Sequence, residues 1–291
     1  MAVQSALEEL IILLDLEQLE VNLFRGVSPD EHQQRVFGGQ VAGQALVAAG
    51  RTVEASRVLH SLHSYFLRPG DPNVPIIYEV DRIRDGRSFT TRRVVAIQHG
   101  RPIFNLSASF QIREEGPEHQ DEMPDVPGPE TLLPFQEQIA PYADRFGPEF
   151  RDWIMRERPI DSRPTALPGW LDSSPRAPEQ NVWLKANGVL PDDPMLHTCV
   201  ITYASDLTLL DTAMLPHGAS YLEGRFQIAS LDHAMWFHHE FRADEWLLYH
   251  QKSPVASGAR GLASGMFFNA EGVLVATAIQ QGLMRPINSS G

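Results

Sequence analysis

Two stretches of this chain spell nearly the same phrase, and a fold that uses one phrase twice has to house two copies of it. Ser61-Leu62 opens the segment SLHSYFLRP and Ser230-Leu231 opens SLDHAMWFH, an offset of 169 residues. Further on, GRPIFNLSASFQI (100–112) is echoed by EGVLVATAIQQGL (271–283), at an offset of about 171. The repeat predicts two sheet-forming halves. Their chemistry differs, because only the later copy supplies the set Asp206, Ser230 and Gln280.

Each half reads as one buried helix followed by antiparallel strands. In the first, VFGGQVAGQALVAAGRTV (36–53) is rich in small residues that let a helix backbone approach a sheet, although each glycine costs about 1 kcal/mol of helix propensity. HSLHSYFLRPG, PIIYEVDRI, SFTTRRVVAIQ and IFNLSASFQI follow as strands, separated by the turn signals RDGRS and QHGRP. In the second, the apolar helical stretch PMLHTCVITYASDLTLLDTAMLP (194–216) precedes FQIASLDHAMWFHH, EWLLYHQKS, GARGLASGMFFN and VLVATAIQQGLMR. That order predicts an α+β fold and not the alternating βαβ of a parallel sheet. The expected division is an N-terminal domain over 1–113, a Pro- and acid-rich linker over 114–193 with a helical segment near Phe150 to Arg156, and a C-terminal domain over 194–291. A linker of that length is expected to pack along the outside of the protein.

Composition narrows the partners. With 291 residues, 43% of them hydrophobic, the chain can build real cores. No stretch approaches the roughly 18 consecutive apolar residues of a membrane span. The start, MAVQSALEELIILLDLEQLE, carries acids where an export leader would carry bases, and it reads as an amphipathic helix. The end, INSSG, carries no peroxisomal or lipidation signal. One cysteine, Cys199, excludes an internal disulfide and suits a reducing, cytoplasmic setting. A formal net charge of −13 argues against nucleic acid as a partner, yet leaves room for a local basic patch that holds an anionic ligand.

The segments RVFGGQVAGQAL, HSLHSYFLRPGD, PIIYEV, RDGRSFTTRRV, IASLDHAMWFH, EWLLY and ARGLASGMF resemble the acyl-CoA thioesterase II family, from about residue 20 to 286 and least in the linker. The resemblance implies a double hotdog fold: two antiparallel sheets, each wrapping a central helix, fused in one chain. It implies hydrolysis of fatty acyl-CoA to fatty acid and CoA, with no cofactor and no metal. As catalytic residues it implies Asp206, the Asp after YAS; Ser230, two before the Asp-His pair; and Gln280, two before the Gly of the GLMR-like segment. The hydroxyl position is often Thr in the family, so Ser230 keeps the oxygen and loses a methyl constraint. A homo-oligomer, dimer or tetramer, is expected by the same analogy.

Elementary chemistry agrees with these residue types. A thioester is activated toward water, and a thiol with a pKa near 8.5 leaves without strong acid assistance. The task is to hold and polarise one water. Asp206 can accept its proton or orient it, while the Ser230 hydroxyl and Gln280 amide fix the geometry. An ordinary Asp is a poor base at neutral pH, so Asp206 is expected either to gain basicity from burial or to act chiefly by orienting the water. Charge on the thioester oxygen needs donors, and a helix N-terminus supplies free amides.

Other residues carry two readings each. His63 is either a core histidine or a wall of the acyl-CoA site between the halves; Gly38 and Gly39 are packing glycines or exposed amides. Arg260, and Arg87 at the similar turn of the first half, are solvated or meet the CoA phosphates. Strand alternation sends Ser230 and Asp232 one way and His233 the other, which argues against a Ser-Asp-His triad; there is also no G-x-S-x-G elbow. His60, His63, His233, His238 and His239 lack the spacing of a metal site, and Cys199 reads as a buried, inert thiol. A hotdog hydratase or dehydratase acting on enoyl-CoA, using Asp232-His233, stays open, as does a non-catalytic acyl-CoA binding module.

Overall fold

The computed structural model describes residues 5–29, 35–145, 147–171, 174–218 and 225–287. The terminal NSSG, part of the segment read for sorting signals, lies outside them. Helix α1 (Ala6–Leu14) is followed by the strands β1 (Glu17–Glu20) and β2 (Leu23–Gly26), helix α2 (Gly38–Gly50), and β3 (Arg57–Phe66), β4 (Ile76–Asp85), β5 (Phe89–Gln98) and β6 (Arg101–Ile112). The connecting segment forms α3 (Phe135–Ile139), α4 (Pro148–Met155), β7 (Ile160–Pro164) and β8 (Glu179–Ala186). The second half comprises α5 (Pro194–Ser205), α6 (Asp211–Met214), β9 (Phe226–Ser230), β10 (Asp232–Phe237), β11 (Leu247–Ser257), β12 (Arg260–Asn269) and β13 (Leu274–Pro286). Ser5 and Glu8 start α1 with reciprocal caps, and Leu7, Leu10 and Leu14 turn its apolar face inward, as the amphipathic pattern predicts.

The two expected sheets are joined edge to edge. One antiparallel sheet runs β2-β4-β5-β6-β3 and continues β10-β13-β12-β11-β8, an order that reads the same from either end when the repeat equates β3 with β10. The joint is the pairing of β3 with β10, where Ser64 faces His233 and donates from its hydroxyl to the His233 carbonyl at 2.7 Å. These two residues are 169 apart, so each is the other's counterpart in the repeat. A pseudo-twofold axis therefore passes between them.

Inside the sheet α2 and α5 lie against each other, antiparallel. The glycines of α2 set the distance: a Cβ on Gly39 would stand 2.3 Å from the Tyr203 carbonyl oxygen, one on Gly43 3.4 Å from that of Cys199, and one on Gly50 2.6 Å from the Met195 methyl. Small residues on this face cost helix propensity, and the close packing they allow offsets it. Leu46, Leu62, Phe24, Phe104 and Phe267 fill the surrounding core without exposure, each worth about 1.5–3 kcal/mol of transfer free energy.

Two expectations change. The linker does run outside, where Met123, Val126 and Leu132 cover Trp183, Leu248 and Phe268, but it also contributes β7 and β8 to the sheet edge. The helical stretch over 194–216 is broken: α5 stops at Ser205, Asp206 is its C-cap, and α6 starts at Asp211. Among the described residues no helix is long and apolar enough to cross a membrane.

Candidate active site

The antiparallel packing brings the last residue of one helix to the first turn of the other. The N-cap of α2, Phe37, has no side chain able to cap its own helix, and the position is taken from the second half: the Asp206 carboxylate accepts from the Gly39 amide. A Cβ on Gly38 would stand 2.5 Å from Asp206 Oδ2, so only glycine leaves room for this approach. A carboxylate at a helix N-terminus is in a favourable field.

Two strands complete the site. Ser230, the last residue of β9, donates to Asp206 Oδ1 at 3.2 Å; Gln280 of β13 donates through Nε2 to the same oxygen at 2.5 Å and to Ser230 Oγ at 3.0 Å. The three side chains form a closed triangle in which both amide hydrogens of Gln280 are used. Gln280 is fully buried, and its Oε1 has no partner among the described residues. Burial pushes the Asp206 carboxyl up to about 6, against the opposing pull of the Gln280, Ser230 and Gly39 hydrogen bonds and of the more distant Arg35 guanidinium. The expectation of a more basic Asp is met, and by burial.

A second acid was missed by sequence reasoning. Asp211 opens α6, and its carboxyl is pushed up to about 7 by burial and then by the Asp206 charge. No helical spacing links the two, because the chain breaks between them. Beneath this break Thr208, Thr212, Gln180 and Gln251 are hydrogen bonded to one another at 2.8–3.2 Å, pinning the turn to β8 and β11.

Strand alternation is broken between Ser230 and His233. Between β9 and β10 the pairing with β13 slips by one residue: Ser230 faces Gly282, whereas Ala234 faces Ile279. Ser230 and His233 therefore both turn inward, and Asp232 turns aside to accept from the Gln281 amide at 2.8 Å. Ser230 and His233 are still not bonded to each other. His233 Nε2 is bonded to Ser205 Oγ at 2.8 Å, and burial lowers its pKa to about 4, leaving it neutral. The Ser205 hydroxyl also lies 2.8 Å from the Thr202 carbonyl, and the buried His233 Nδ1 has no partner among the described residues.

Of the residues assigned to substrate, Gly38 and Gly39 meet Asp206 and two others do not. His63 is exposed on the outer face of the sheet, between the buried Leu62 and Ser64, its ring perpendicular to that of Trp236 with centroids 5.2 Å apart. Arg260 lies at the exposed end of the β11–β12 hairpin and donates to the Gly258 carbonyl at 3.2 Å. Cys199 is buried and unpaired, with its thiol pKa pushed far up by burial. Among the described residues no group of three His, Cys, Asp or Glu is arranged to hold a metal.

A paired-helix core inside a continuous antiparallel sheet, with a carboxylate, a hydroxyl and an amide at the helix junction, defines a double hotdog protein with a hydrolase-like site. A conserved protein of unknown function with a hot dog fold from Alicyclobacillus acidocaldarius, 19% identical, superposes with a TM-score of 0.75 over 96% of this chain and 98% of its own. The family described as acyl-CoA thioesterase matches residues 153–283, and that described as acyl-CoA thioesterase N-terminal domain matches 28–111. Acyl-coenzyme A thioesterase 8 of Mus musculus is 43% identical, over 94% of this chain and 88% of that protein. An acyl-CoA thioesterase II from Mycobacterium marinum of known structure is 44% identical, with a TM-score of 0.78 over 97% of this chain and 99% of that one. The chain belongs to the acyl-CoA thioesterase II family.

Proposed function

We propose that the protein hydrolyses the thioester of fatty acyl-CoA to fatty acid and CoA, with Asp206 activating a water that Ser230 and Gln280 help to hold. One observation carries this assignment: a carboxylate of raised basicity, fixed by two side-chain donors, stands at the open N-terminus of a helix. The water oxygen attacks the carbonyl carbon as its proton passes to the Asp206 carboxylate. The C–S bond then breaks, and CoA leaves as a thiolate. Gly38 and Gln40 in the first turn of α2 have backbone amides without a partner among the described residues, which suits them to the developing oxyanion. The hydratase alternative loses its histidine, because His233 is buried, neutral and committed to Ser205.

Release of free thiol from a panel of acyl-CoA chain lengths, followed with a thiol-reactive dye, tests the reaction; no release from any of them refutes it. Asp206→Ala is expected to lower the rate by roughly 10²- to 10⁴-fold, as removal of a general base does. Near-intact activity would move the role to another residue. The same reading carries a cytoplasmic location and a homo-oligomeric assembly, dimer or tetramer. Fractionation of cells and sedimentation of the pure protein test them.

A further inference from the structure

The chain is strongly acidic, with a formal net charge of −13, yet one corner collects two guanidinium groups that no carboxylate among the described residues neutralises. A surface pocket of about 320 Å³ is lined by Arg68, Asp71, Gln98, His99, Arg101 and Ile103. It lies where the loop after β3 meets the β5–β6 turn. His99 and Gly100 hold that turn in left-handed conformations, with φ of 51° and 69°. The Gln98 amide clamps the two parts together, accepting from the Asp71 amide at 2.8 Å and donating to the carbonyls of Asp71 at 2.8 Å and Val74 at 2.6 Å. Arg68 is steadied by a bond from Nη1 to the Pro102 carbonyl at 2.6 Å. The Asp71 carboxylate is engaged by its own turn, through the Asn73 amide at 2.9 Å, and reaches His99 only at 3.5 Å. Among the described residues neither Arg68 nor Arg101 has a carboxylate partner.

This corner adjoins the site at Asp206. The Val36 amide, just before α2, donates to the Gly70 carbonyl at 3.0 Å, and the amides of Leu67 and Arg68 donate to the Ile103 carbonyl at 2.8 and 3.1 Å. Phe66, at the base of the same loop, packs on Gly38, whose Cα faces Asp206. The pseudo-twofold supplies a control. The corresponding loop of the second half adjoins the N-terminus of α5, where the Ala243 amide donates to His197 Nδ1 at 2.9 Å. There the charges are cancelled, Arg242 by Asp244 at 3.0 Å and Glu240 by Arg113, and the β12–β13 turn carries Glu271. Gln120 from the linker closes that turn, donating to the Gly272 carbonyl at 2.8 Å and accepting from the Leu274 amide at 3.0 Å. Among the described residues, guanidinium groups without a carboxylate partner occur at the corner beside Asp206 and not at its counterpart.

We propose that Arg68, His99 and Arg101 seat the phosphates of the CoA nucleotide, so that the pantetheine arm runs over Val36 and Phe66 toward Asp206. Guanidinium groups suit this role, because their fork of donors matches phosphate oxygens. The proposal rests on the acyl-CoA reading of the site, and its test is built to fail separately from it. The ratio of kcat/KM for an acyl-CoA to that for the same acyl group on N-acetylcysteamine, which has no phosphates, is measured for wild type, Arg101→Glu, Arg68→Gln and Arg101→Lys. The ratio cancels losses from misfolding. It is expected to fall about tenfold in the first two variants, mainly through KM for the acyl-CoA, and to be largely kept in Arg101→Lys. An unchanged ratio overturns the proposal. If the wild type cleaves neither thioester, the hydrolytic reading falls and titration calorimetry with CoA decides the phosphate seat alone. Binding weakened about tenfold by Arg101→Glu supports it; no binding, or equal binding by both proteins, overturns it.

Discussion

Two ends of the paired helices can be set side by side. Where the C-terminus of α5 meets the N-terminus of α2, the junction holds Asp206, Ser230 and Gln280. Where the C-terminus of α2 meets the N-terminus of α5, Asp193 caps α5 from within its own half by accepting from Met195, and a buried guanidinium is bonded to the residue just past the end of α2. Arg92 donates to Thr52 Oγ1 and the Thr52 carbonyl, both at 2.9 Å, and to Asp85 at 2.6 Å. Arg92 is the fourth residue of β5 and Ala263 the fourth of β12. Across the ladder Arg92 faces Ala108, whereas Ala263 faces Gln280. One half places a large cation beside a small residue and closes its junction; the other places a small residue beside an amide and keeps a polar junction with a helix terminus free. The lesson is that duplication supplied two equivalent locations, and side-chain size decides which of them has room for chemistry.

The contrast can be broken from either end. The largest effect is expected at the polar junction, where Asp206→Asn should lower kcat/KM by roughly 10²- to 10⁴-fold in a thiol-release assay. Arg92→Met should cost about 2–4 kcal/mol of unfolding free energy by stripping donors from buried oxygens, read from the urea midpoint, while kcat changes less than about threefold. Loss of activity in Arg92→Met at unchanged stability would show that the ends are not separate. Asp206→Asn should also stabilise the fold by roughly 1–3 kcal/mol at pH 8. The sign follows from a carboxyl raised in the folded state: its penalty is absent below the ordinary value of 3.8 and complete above about 6, so the gain should vanish in acid. The smallest effect concerns Asp211. The Asp206 charge raises Asp211 with no reciprocal shift on Asp206, so Asp206 ionises first, beside a protonated Asp211, and Asp211→Asn should leave the acidic limb of the kcat/KM profile within roughly 0.3 of a pH unit of wild type. A limb that moves further than that in either direction would contradict this order of ionisation.

Much of this was legible in the chain. The repeat around Ser61 and Ser230 announced two sheet-forming halves, the small residues of GGQVAGQALVAAG announced a tightly packed helix, and the family motifs pointed to Asp206, Ser230 and Gln280. What was not legible depends on register or on contacts distant in sequence. A one-residue slip after Ser230 reverses the face of every following side chain, and alternation alone cannot reveal it. Neither could it reveal that β7 and β8 extend the sheet, since IDSRP and EQNVWLKA lie in a segment read as a connection. His63 and Arg260 occupy positions in the repeat where contact with the substrate is expected, but strand parity and hairpin direction put them elsewhere than the carboxylate. Asp211 carried no pattern at all; only the break in the helix makes it a neighbour of Asp206.

The ladder that pairs Ser64 with His233 has a further consequence for what substitutions can do. In an assembly of two identical chains about such an axis, every change is made twice, so an acid added at one helix junction is added at the other, and a closing arginine closes both. Here the two sides of the axis are separate stretches of one gene product, and each can vary alone. Symmetry of the backbone is kept, while its side chains are released from it. Stoichiometry follows: the chain should bind one equivalent of a tight substrate analogue, not two, despite having two of every major structural part.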